Sequence, residues 1–144
     1  LKADDACYRQ AAEQVLHKKI KDQQDLIAQM TQEMDRAERR TLDTDPRLVA
    51  MARGYAGCMR GKGYAMPADT PSLIGSAEVK RFWKQRNDLG KLTPQLTPDE
   101  ARPYLDKEIA SALEDLECGK DFFRAYNPRY QAIWDEVSRR WGQG

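Results

Sequence analysis

The chain has 144 residues, 40% apolar and 33% charged, with 24 basic and 23 acidic side chains and a net charge of +1. Its length suits one ordinary domain that can bury a core without metals or several crosslinks. The near-neutral charge excludes a global field drawing it to nucleic acid or anionic membrane, and no apolar run approaches the roughly 18 residues of a membrane span.

High charge with modest apolar content is the balance of long, solvent-wrapped helices. The expected fold is all-α: an elongated bundle of four to five helices in a single domain, 1–144, with a long N-terminal helix and a kinked C-terminal one. No strand signal and no internal repeat appears.

The first forty residues hold neither glycine nor proline. Core-type positions recur at Leu16, Ile20, Gln23, Ile27, Met30, Met34 and Ala37, in steps of 4 and 3, and Tyr8, Ala12 and Val15 extend the seam backwards. One helix over 5–41 is predicted, bent near Lys21 to Gln24, where apolar cover is thinnest. Asp45-Pro46 supplies a cap and a first-turn proline for a second helix over 46–61. Leu48, Val49, Ala52, Tyr55, Ala56 and Met59 form its apolar face, and Gly61 and Gly63 offer left-handed positions to end it.

A loop with Pro67 and Pro71 follows from Lys62 to Gly75, long enough to bear function or to serve as a crossover. Ser76 caps a third helix to about Leu89, where Val79, Phe82 and Trp83 are expected to enter the core while Lys80, Arg81, Lys84 and Arg86 face water. Gly90 ends it, and a loop with Pro94 follows.

Thr97-Pro98-Asp99-Glu100 reads as a capping box, although Pro103 could move the helix start toward Arg102. Beyond it Leu105, Ile109, Ala112, Leu116, Gly119 and Phe123 form a second heptad seam. Asn127-Pro128 is expected to break or kink it before an amphipathic end carrying Tyr130, Ile133, Trp134, Val137 and Trp141. Phe122 and Phe123 are adjacent, so one narrow seam cannot bury both, and Trp141 sits where a terminus frays.

Charge is uneven along the chain. Residues 46–96 carry nine basic and three acidic side chains, between two mildly acidic flanks. If the chain has an anionic ligand, the candidate surface is Arg53, Arg60, Lys62, Lys80, Arg81 and Lys84; a solvated region complementing neighbouring helices is the plainer reading.

Chemistry-bearing patterns are sparse. His17 is the single histidine, on a polar helix side, and no nucleophile signature surrounds Cys7, Cys58 or Cys118. No zinc-ligand spacing or di-iron Glu-x-x-His pattern occurs. Gly61-Lys62-Gly63 follows a helix instead of a strand and lacks Walker spacing. Met51, Met59 and Met66 read as core filler. Neither a catalytic, a cofactor nor a metal site is therefore expected, and the chain is read as a non-enzyme.

The stretch Cys-Met-Arg-Gly-Lys-Gly-Tyr at 58–64, its proline-bearing loop and the helix with Ala-Leu-Glu-Asp-Leu-Glu-Cys ending at Cys118 resemble small secreted proteins and lipoproteins of actinobacteria. Asp-Ala-Cys-Tyr-Arg-Gln-Ala-Ala at 5–12 looks like the opening of longer members. The resemblance implies an extracytoplasmic, secreted or envelope-associated helical domain and no activity. No convincing lipobox precedes Cys7, and the sequence begins at Leu1 without a methionine, as either a processed or a trimmed chain would, so its start argues nothing about compartment.

Cys58 and Cys118 lie on segments expected to be neighbours, so a disulfide between them is the first hypothesis. Cys7 with Cys118, or three reduced buried thiols, are the alternatives. The functional expectation is a binding or interaction module of the cell envelope, a monomer whose partner is an unknown protein or small ligand, with no nucleic acid and no membrane span. An intracellular coiled-coil adaptor or self-associating structural protein competes with it, supported by the two seams and by Gln23, a polar seam residue that could set register.

Overall fold

The computed structural model describes residues 2–66, 69–88, 90 and 95–142, with side chains for all of these except 2–5, 8 and 78. Expectations placed on Tyr8, Pro67, Leu89 and Pro94 lie outside the described groups. Six helices and no strand occur among the described residues: α1 (Lys2–Leu16), α2 (Gln23–Thr41), α3 (Pro46–Gly61), α4 (Pro71–Ile74), α5 (Ala77–Asp88) and α6 (Pro98–Arg140). No helix is long and apolar enough to cross a membrane among these residues. They form two compact units, Leu1–Thr41 with Pro128–Gly144, and Leu42–Asn127.

In the first unit the expected single N-terminal helix is two. His17 adopts φ 52, a left-handed conformation that ends α1. Asp22 then caps α2: its carboxylate accepts the Asp25 amide at 2.8 Å, while the Asp25 carboxylate accepts the Lys21 amide at 2.8 Å. A bend expected near Lys21 is thus a break with its own cap. The reciprocal bonds hold the Asp25 carboxyl below its usual range, led by the Lys21 amide and then Gln29.

Ala12, Ile20, Leu26, Met34, Ala37, Ile133, Val137 and Trp141 are buried in this unit. Leu26 is buried in place of the expected Ile27, which is 52% exposed, while Met34 and Ala37 of the same seam stay inside. Trp141 does not fray: it is 2% exposed, and its indole N–H donates to Glu33 at 2.9 Å. Glu33 also pairs with Arg140 at 2.6 Å and Lys18 at 3.5 Å, and the Lys18 ammonium sits 4.4 Å from the Trp141 ring centre.

The second unit is organised by α3. Asp45 caps it through the amides of Arg47 and Leu48, at 2.9 and 3.0 Å. At the other end Gly63, at φ +91, lets its own amide reach Arg60 O and the Tyr64 amide reach Met59 O, a Schellman closure. Leu48, Ala52, Tyr55, Ala56 and Met59 are buried, as the face read from sequence requires. The following loop contains the short α4, tied back where Asp43 accepts the Ser72 amide and hydroxyl at 2.9 and 2.7 Å.

Helix α6 begins at Pro98 despite Pro103. Glu100 accepts the Thr97 amide at 3.0 Å, and Thr97 Oγ1 accepts the Glu100 amide at 3.3 Å. It also continues through Asn127-Pro128 without a break, and the two units divide at that step. It buries Ser111, Gly119, Phe122 and Tyr126, of which Gly119 and Phe122 meet Tyr55 of α3. A Cβ on Gly119 would stand 2.8 Å from the Phe123 ring and 3.0 Å from Tyr55, so only glycine allows this approach. Tyr55 stacks on Phe122 with ring centres 5.7 Å apart and meets Phe123 edge-on at 5.5 Å, so both adjacent phenylalanines enter one aromatic cluster.

Candidate functional site

A disulfide joins Cys58 of α3 to Cys118 of α6, with Cα atoms 5.6 Å apart, inside the usual bridging range. Cys58 is exposed and Cys118 half-buried; Cys7 is an exposed free thiol. Polar bonds beside the bridge reinforce the same helix pairing. Tyr55 and Tyr64 donate their hydroxyls to Asp115 and Glu114, and Lys62 pairs with Glu117 at 2.8 Å. The Glu114 contact and partial burial push the Tyr64 phenol above its ordinary pKa, and the Glu117 contact raises the Lys62 ammonium.

These bonds decide where most of the six candidate cations go. Arg60 pairs with Asp69 at 2.6 Å, Lys62 with Glu117, and Lys84 with Asp88 at 2.7 Å. Arg81, expected in water, donates to Ser111 at 3.1 Å and lies 4.6 Å over the Tyr64 ring. Lys62 and Arg81 are thus brought together around Tyr64 with Glu114 and Glu117 beside them, whereas Arg53 and Lys80 are exposed on separate helices. The two acids were passed over in the sequence because they lie outside the basic segment; their i, i+3 spacing on one face of α6 was the available signal.

The same pairing turns an apolar stripe of α6 to water. Leu105, Ile109, Leu113 and Leu116 are 54%, 50%, 63% and 63% exposed, so much of the seam expected to enter the core does not. The reason is angular. Leu116 and Cys118 are two residues apart, about 200° of helical rotation, so drawing Cys118 to α3 points Leu116 and its i−7 and i−11 neighbours outward. Val79 and Trp83 of α5, also expected in the core, are 60% and 56% exposed, and Phe82 is half-buried.

Between α5 and the start of α6 these side chains frame a groove of about 400 Å³. Phe82, Trp83 and Arg86 line one wall and Tyr104, Leu105 and Glu108 the other. The Arg86 guanidinium lies 4.3 Å over the Trp83 ring.

The arrangement offers surface for binding. His17 is exposed in the α1–α2 connection, and among the described residues no three of His, Cys, Asp and Glu converge as a metal would need. Comparison with protein-family models, curated proteins and solved structures finds no match.

Proposed function

We propose that the protein is a non-enzymatic, extracytoplasmic binding module of the cell envelope whose contact surface is the α5–α6 groove and the apolar stripe beside it. The observation that carries this reading is the water-facing Trp83 of α5 and Leu105 of α6 at one groove, with α6 tied to α3 by the disulfide. Contiguous exposed apolar surface of this kind marks contact sites more often than idle surface. The solvent-exposed Cys58 end of the disulfide supports an oxidising compartment, since glutathione and thioredoxin keep accessible cytosolic thiols reduced. The sequence resemblance to secreted actinobacterial proteins supports the same location.

The test has two readouts in source cells. Thiol trapping before lysis, with fractionation, is expected to recover oxidised Cys58–Cys118 outside the cytoplasm; a reduced cytosolic pool overturns the location. A photo-crosslinking residue at Leu105 is expected to give a discrete protein adduct, and its absence overturns the binding surface. One observation favours a second reading, an intracellular self-associating or coiled-coil protein: the exposed heptad positions from Leu105 to Leu116.

A further inference from the structure

We propose that the occupant of the α5–α6 face is a second copy of this chain, docked about a two-fold axis so that α5 of each copy lies on the first half of α6 of the other. The proposal rests on the binding-surface reading above and names its partner. The expectation of a monomer assumed heptad seams satisfied within one chain, and that assumption does not hold for Leu105, Ile109 and Leu116.

Charge chooses the partner. Helix α5 carries exposed Lys80, Lys84 and Arg86 with Asp88, while residues 98–108 of α6 carry exposed Asp99, Glu100, Asp106 and Glu108 against Arg102 and Lys107. Arg86 and Glu108 stand on opposite walls of one groove, so the face has a basic edge and an acidic edge with apolar side chains between them. A two-fold axis lying in such a face and parallel to its two edges sets each edge against its complement, which makes an isologous contact self-complementary. Packing α6 on α6 alone would oppose acidic rims, since exposed Asp106 and Glu108 flank the stripe. The apolar centre supplies affinity; exposed ion pairs contribute little energy but fix register and orientation.

Sedimentation equilibrium of the full, oxidised chain tests this. A dimer that dissociates on dilution, and more readily in high salt, is expected. Ile109→Asp should weaken it by about tenfold or more, with the melting curve unchanged at concentrations where the chain is monomeric, because Ile109 is half exposed. Arg86→Glu and Glu108→Lys should each weaken association severalfold, and the two together should restore it. A monomer at every concentration up to millimolar, a dimer indifferent to Ile109→Asp, or charge reversals without mutual rescue overturns the proposal. In the Leu105 crosslinking experiment, an adduct of twice the chain mass supports self-docking. An adduct of any other mass puts a different protein on the face and overturns self-docking while leaving the binding module standing; no adduct overturns both.

Discussion

Replacing both bridged cysteines by serine should remove a large part of the stability of the second unit. The bridge closes a loop of sequence separation 60 within residues Leu42–Asn127. In the chain-entropy model, closing a loop of that size removes about 14 cal/mol/K from the unfolded ensemble, or about 4 kcal/mol at room temperature. Serine is the suitable replacement because Cys58 is exposed and Cys118 half-buried, so neither hydroxyl is stranded in a dry core. The native pairing keeps its polar bonds, Lys62 with Glu117 and Tyr64 with Glu114, in either form. If the whole chain melts together, about 4 kcal/mol lowers Tm by about 13 °C; if the second unit melts alone, the fall is about 20 °C. Calorimetry of the native and doubly substituted chains reads this directly, and reduction of the native protein should reproduce it. A loss below about 1 kcal/mol would refute the assignment of the stability to loop closure.

Three further outcomes are expected. Glu33→Gln should cost about 1–2 kcal/mol near neutrality by weakening the contacts to Trp141, Arg140 and Lys18. Burial opposes the Glu33 charge, but the Trp141 indole and then Arg140 and Lys18 outweigh it and lower the pKa. The native advantage over the variant is therefore fully present above the ordinary glutamate value of 4.5 and fades as pH falls below it, which urea unfolding across pH will show. In ultraviolet titration Tyr64 should ionise above the ordinary tyrosine range, and Glu114→Gln should bring it down; Tyr64→Phe identifies the transition. Gly75→Ala should destabilise by about 1–3 kcal/mol, since the new methyl meets the ring of Tyr126, which is 5% exposed and cannot swing freely. Thermal melting checks it.

Local signals were legible where one residue's chemistry settles a backbone bond. Asp45-Pro46 starts α3 and Thr97-x-x-Glu100 starts α6, because a cap satisfies amides that no other group nearby can reach. Pro103 did not move the helix start and Asn127-Pro128 did not end the helix, since each proline removes one hydrogen bond from a long helix whose remaining bonds and packing outweigh it. The break at 17–22 was half legible: Asp22 and Asp25 form a cap pattern, but nothing local announced the left-handed His17.

The candidate surface was hidden by a conflict already present in the sequence. A seam through Leu116 and a bridge through Cys118 cannot both face one neighbour, because positions two apart on a helix point nearly opposite ways. Sequence by itself determined an all-helical chain, its principal caps and which cysteines had reason to meet, because periodicity, capping and chain order are local properties. Which side of α6 meets α3 was decided by tertiary structure alone. There the disulfide, the two tyrosine–carboxylate bonds and the close approach at Gly119 act together, and they leave Leu105, Ile109 and Leu116 facing water.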